Sequence, residues 1–151
     1  FLEGMGDRKD SLFGGLAVQG NLPAGLRASA GYEHDMLDRV GGGSARLDVR
    51  RGFQFGRFSV APGAGLNWLS AELAGHEFGV DADEARAERP AYRPGDAVNV
   101  ELGLGMTAEW GGVWRVVVNG SVEFLANELR ESPLIERGWV NHAFVAATYT
   151  F

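Results

Sequence analysis

Apolar residues recur at every second position along most of this chain. Over 98–110, Val98, Val100, Leu102, Leu104, Met106, Ala108 and Trp110 fall on one side, and Asn99, Glu101, Gly103, Gly105, Thr107 and Glu109 on the other. A period of two is the mark of an extended strand with unlike faces. Stretch 24–34 divides Leu26, Ala28, Ala30 and Tyr32 from Arg27, Ser29, Gly31 and Glu33. Stretch 44–53 divides Ala45, Leu47 and Val49 from Arg46, Asp48 and Arg50. Stretch 57–69 divides Phe58, Val60, Pro62, Ala64, Leu66 and Trp68 from Ser59, Ala61, Gly63, Gly65 and Asn67. The pattern predicts seven strands, at 11–19, 24–34, 44–53, 57–69, 97–110, 113–125 and 141–151, of which the first alternates least.

The last stretch sets the expected solvent. Ala143, Val145, Ala147, Tyr149 and Phe151 share one side, opposite His142, Phe144, Ala146, Thr148 and Thr150. An amphipathic C-terminal strand ending on Phe, with Tyr two residues earlier, is what bacterial outer-membrane barrels carry. Tyr149 and Phe151 are therefore candidates for the signal read by the barrel-assembly machinery. The connections support a barrel too. Asn21-Leu22-Pro23, Phe55-Gly56 and Gly111-Gly112 are short, whereas 35–43, 70–96 and 126–140 are long and polar. Short periplasmic turns and longer external loops are the outer-membrane arrangement.

The expected fold is all-β: a transmembrane antiparallel up-and-down β-barrel, filling one domain over 1–151. Phe1-Leu2-Glu3-Gly4 starts as if in mid-strand, so N-terminal strands of a longer precursor are expected to be absent. Mean hydropathy of −0.11 reads as that of a soluble chain. Alternating strands escape that test, because half of each strand faces the lumen. No apolar run approaches the roughly 20 residues of a membrane helix. A net charge of −6 argues against a nucleic-acid partner, which needs a basic surface.

With the chain end in the periplasm, the aromatics sort by height. Phe53, Phe58, Trp110, Trp114, Tyr149 and Phe151 fall near the periplasmic rim, and Tyr32, Trp68, Phe124 and Trp139 near the outer one. Two aromatic belts where rings meet the headgroups, with the lipid bilayer as partner, are the expectation. The competing reading is a soluble barrel or sandwich whose rings point inward. The other side of the strands carries Arg27, Arg46, Arg50 and Arg115 against Glu33, Asp48, Glu101, Glu109 and Glu123. That near balance predicts a paired lumen network of Arg46, Asp48, Arg50, Glu101, Arg115 and Glu123, since unpaired charge away from water is costly. A Phe55-Gly56 turn would set Arg50, Asp48 and Arg46 opposite Ala61, Gly63 and Gly65. A continuous aqueous pore is the alternative.

Chemistry-bearing residues are few. His34, His76 and His142 sit at outer strand ends or in loops, with neither HExxH nor GxSxG in the chain and no Cys. Asp81-Ala82-Asp83-Glu84 lacks the Gly and distal Glu of a calcium loop, and reads as solvated. Gly41-Gly42-Gly43 precedes a strand and reads as a turn or hinge. No catalytic, cofactor or metal site is expected.

The loops carry more specific motifs. Glu77-Phe78-Gly79-Val80, Asp83-Glu84-Ala85 and Ala91-Tyr92-Arg93-Pro94-Gly95 follow a strand ending Leu66-Asn67-Trp68. Glu131-Ser132-Pro133-Leu134-Ile135 and Ala147-Thr148-Tyr149-Thr150-Phe151 come later. Their order resembles the MipA/OmpV family, well over 44–151 and loosely before; Thr150 stands where the family commonly has Arg. The resemblance implies a Gram-negative outer-membrane location and a non-enzymatic scaffold linked to peptidoglycan machinery. Its implied partners are a murein lytic transglycosylase and a penicillin-binding protein. A small-solute channel and a surface adhesin acting through loop 70–96 stay open.

Overall fold

The computed structural model describes residues 10–151. Its strands are β1 (Phe13–Leu22), β2 (Leu26–Asp35), β3 (Gly43–Arg51), β4 (Phe53–Phe55), β5 (Phe58–Leu69), β6 (Ala97–Trp110), β7 (Trp114–Phe124) and β8 (Trp139–Tyr149). Helix α1 (Ala71–Phe78) follows β5, and the single turn α2 (Asn127–Arg130) follows β7. Strands β1, β2, β3, β5, β6, β7 and β8 lie side by side in that order, each antiparallel to the next. This is an up-and-down sheet. Strand β4 continues β3, because Arg50 faces Gly63 and Phe53 faces Val60 in one unbroken register across Gly52. Among the described residues, β1 and β8 are the edges of the sheet.

The hairpin turns differ from those read in the sequence. Gly56-Arg57, not Phe55-Gly56, forms the β4–β5 turn, since Phe55 pairs with Phe58. Gly56 takes φ 59°, which glycine adopts without a Cβ penalty. The shift moves the register by two residues: Arg50 faces Gly63, Asp48 faces Gly65, and Arg46 faces Asn67. An even slip keeps every side chain on its expected face. The last hairpin spans Gly111-Gly112-Val113, and the first spans Pro23-Ala24-Gly25. Strand β1 accordingly runs to Leu22, beyond the predicted end at residue 19.

The pairing is staggered. Trp139, at the start of β8, aligns through Phe124, Val100, Leu66, Leu47 and Ala30 with Val18, in the middle of β1. A steady drift of this kind is the shear of a tilted, curling sheet.

Burial along β6 is inverted relative to a water-soluble protein. In β6, Val98, Val100, Leu102, Leu104 and Met106 are exposed, while Asn99, Glu101, Gly103, Gly105 and Thr107 are more covered. Leu102 is 49% exposed, but the Glu101 side chain only 14%. Water would drive the reverse arrangement. A contiguous apolar face of this kind fits lipid as its solvent.

Tight apolar packing occurs at the loop end. Leu69, Leu73, Ala74, Ala97, Leu125 and Leu129 form its core, joined by Phe13, Val40, Phe78, Ala126 and Ile135. Residues 70–96 are therefore not a plain polar loop. Ser70 caps α1, its Oγ accepting from the Leu73 and Gly43 amides. The glycine run has a steric reason here: a Cβ on Gly42 would stand 2.6 Å from both the Leu73 nitrogen and Ser70 Oγ.

Candidate functional site

The charged side chains of the polar face form three groups instead of one network. Asp48, Gly65, Glu101 and Glu123 lie in one row across β3, β5, β6 and β7. Arg46 spans it from the next row, donating from Nε to Asp48 Oδ2 at 3.0 Å and from Nη2 to Glu101. Gly65 makes room, since a Cβ there would meet Asp48 Oδ1 at 2.7 Å. Glu101 and Glu123 stand opposite each other, a repulsive pairing that each relieves with its own donors. Asn99 Nδ2 donates to Glu123 at 2.9 Å and Asn67 Nδ2 at 3.3 Å, and His142 Nε2 lies 3.7 Å away.

Arg115 belongs to a second group at the turn end, donating from Nη2 to Glu109 at 2.6 Å and from Nε at 2.9 Å. Arg50 stands apart. Its side chain lies against Gly63, where a Cβ would meet Arg50 Cγ at 2.6 Å, and no carboxylate pairs with it among the described residues. Arg50 faces Arg27 across β2 and β3. It also lines a groove with Glu101, Asn119, Ser121, His142 and Phe144.

The loop motifs converge on the cap over this face. Val80 and Tyr92 pair through their backbones at 2.8 and 3.0 Å. Tyr92 donates its hydroxyl to the Glu128 carbonyl at 2.6 Å, and Ser132 donates to the Phe78 carbonyl at 2.6 Å. Asn99 ties cap to sheet by accepting from the Ala126 amide at 2.9 Å. None of these long-range contacts has a local sequence signal; only the Ser70 cap could have been found from its position before Ala71-Glu72-Leu73. From α1, Glu77 leans into a cavity bordered by Glu33, Ser44, Arg46 and Asn67. Much of the residue is accessible, yet loss of water around its carboxyl, then Glu123 and Glu33, raises its pKa above the ordinary value. Glu72, by contrast, is lowered by its own backbone amide and by Ser70 at the helix start. In the acidic run, Glu84 accepts from the Asp81 amide at 3.1 Å, and Arg93 approaches Asp81 at 4.0 Å.

The aromatic residues occupy both ends of the sheet. Trp114 packs on Tyr149 with centroids 4.9 Å apart, and Phe151 follows at 5.2 Å from Tyr149. Phe58 meets Trp110 edge-on at 6.0 Å, with Phe53 on the neighbouring hairpin strand. Tyr32 and Trp68 share one row at the loop end, while Phe124 pairs with Trp139. Trp68 is half-buried, and the other rings named here are exposed.

The family described as MltA-interacting protein MipA matches residues 1–151. Outer membrane protein Omp26La of Vibrio anguillarum is 27% identical over 150 residues, covering 99% of this chain and 57% of that protein. Outer membrane protein OmpV of Vibrio cholerae is 25% identical over 150 residues, covering 99% and 57%. The MltA-interacting protein of Escherichia coli K12 is 28% identical over 146 residues, covering 96% and 58%. The chain thus spans somewhat over half the length of these curated relatives. No solved structure matches it. A family match over residues 1–151, outer-membrane relatives and an up-and-down sheet with an exposed apolar face agree: the chain belongs to the MipA family of Gram-negative outer-membrane β-barrel proteins.

Proposed function

We propose that this protein is a non-enzymatic outer-membrane scaffold that engages peptidoglycan machinery, with a lytic transglycosylase as its first partner. The observation that carries the reading is the self-paired polar face. Arg46 is spent on Asp48 and Glu101, Arg115 on Glu109, and Glu123 on two amides, so that Arg50, opposite Arg27, is the exception on a face whose other central charges are held. The MltA-interacting relative supports the choice of partner, and a penicillin-binding protein is the second candidate by the same resemblance. Periplasmic enzymes would meet the turn end, since the short turns of outer-membrane barrels face the periplasm.

Co-purification from cells making the full-length protein tests this. A short insertion between Gly111 and Gly112 should reduce recovery of the lytic transglycosylase severalfold, while deletion of 81–95 should leave it unchanged. Loss on loop deletion alone, with binding to surfaces or cells, would move the assignment to an adhesin acting through loop 70–96. A channel is the second reading, favoured by the row of Asp48, Glu101 and Glu123 against the single Arg46. It requires steady cation-preferring conductance in planar bilayers.

A further inference from the structure

The tip of the β4–β5 hairpin reads Arg51-Gly52-Phe53-Gln54-Phe55-Gly56-Arg57-Phe58 and contains no carboxylate. Its apolar face is continuous with that of the sheet. Arg51 follows Leu47 and Val49 by parity, Phe53 stands opposite Val60, and Phe55 opposite Phe58. Arg51 therefore puts a guanidinium on the lipid side, with its Cζ 5.1 Å from the Phe53 ring centroid. Arg57 lies in the turn, its Cζ 5.9 Å from the Phe58 centroid. Both arginines are exposed, and neither pairs with a carboxylate among the described residues. Glu109, the carboxylate of this rim, is held by Arg115. Arg27, Arg50, Arg51, Arg57 and Arg115 gather at the turn end with Glu109, whereas in the loops at the other end carboxylates outnumber the arginines.

A charge on the lipid face costs about 2–4 kcal/mol at the bilayer midplane but about 0–1 near the interface. At the rim an outward arginine lies among headgroups, where its fork of N–H donors matches phosphate oxygens. The phenylalanine rings hold each guanidinium from one side and leave its edge free. We propose that this hairpin tip binds the phosphate headgroup of an anionic phospholipid in the leaflet at the turn end, with Arg51 and Arg57 as its donors. A basic rim attracts net-negative lipids over zwitterionic ones.

Full-length protein reconstituted from equal amounts of phosphatidylglycerol and phosphatidylcholine, then extracted in mild detergent, can be analysed for retained lipid by mass spectrometry. Phosphatidylglycerol should be retained severalfold over phosphatidylcholine. The double variant R51Q/R57Q should lose this preference and R51K/R57K should keep most of it. Arg137→Gln, beside Trp139 at the opposite end, should retain it in full. Heat-modifiable gel mobility confirms folding of each variant. If R51Q/R57Q does not fold, the salt dependence of wild-type retention decides, since a charge-driven preference shrinks as the Debye length falls from about 10 Å at 0.1 M to about 3 Å at 1 M. Retention in the ratio supplied, a preference untouched in R51Q/R57Q, or one indifferent to salt would each overturn the proposal.

Discussion

At the scale of single residues, Arg46 is the most committed side chain of the polar face. It meets carboxylates from its own strand and from β6, across the small side of β5. Its side chain is 46% exposed, so its attraction to Asp48 is partly screened. Arg46→Ala in the full-length protein should lower stability, and lower it less when Asp48 is also alanine. The coupling from such a double-mutant cycle should be about 1 kcal/mol, below the 3–5 kcal/mol for breaking a fully buried pair. Equilibrium unfolding from vesicles in urea measures it. Zero coupling with altered ion selectivity would mean that these groups are separately hydrated, as in a wide pore. That Arg46 and Asp48 share a face was legible, because parity is local. The separation of Arg115 and Arg50 from them was not, because partner choice depends on rows that only the register defines.

At the scale of elements, the strands were the readable part. Alternation over ten residues is a local property, and each hairpin end bears Gly or Pro. Registers were harder: choosing Phe55 or Gly56 as the first turn residue moves every pairing by two, and periodicity is blind to an even slip. Helix α1 was missed because it is only 8 residues long and its partners Ala97, Leu125 and Leu129 come from distant segments. The helix brings a pH dependence. In the folded cap Glu77 holds its proton more tightly than an unfolded glutamate, through desolvation and through Glu123 and Glu33, with Arg46 on the same cavity as the opposing charge. Its contribution is full below the unfolded carboxylate pKa and is lost as pH rises through the folded one. The protection factors of the α1 amides, which divide out the intrinsic rise of exchange with pH, should therefore carry a component from Glu77 that falls between about pH 4 and about pH 7, opposed at the acid end by the lowered Glu72. Glu77→Gln should flatten that dependence and slow exchange at neutral pH. A profile identical in both proteins would assign the pH response to other groups.

At the scale of the whole molecule, what needs explaining is a sheet that exposes its leucines and covers Glu101 and Glu123. In water this arrangement would collapse or aggregate, since hundreds of Å² of apolar surface would stay wet. In a bilayer the same surface is solvated, and the polar groups keep each other company on the inner side. The β-barrel class was legible from the alternation and the closing Tyr149 and Phe151, but the helical cap at the loop end was not. Leu102 lies near the middle of β6, opposite Ala64 on β5 and Val122 on β7, with its side chain on the apolar face. Leu102→Arg should destabilise the vesicle-inserted protein by about 2–4 kcal/mol, the cost of a guanidinium at the midplane. Val98→Arg, nearer the loop end, should cost only about 0–1 kcal/mol, because the side chain reaches the headgroups. Depth is what separates the two sites, since both lie on the same face of one strand. Urea titrations of both variants in vesicles read the difference. Equal costs would mean that β6 does not cross the membrane at the depth its pattern assigns.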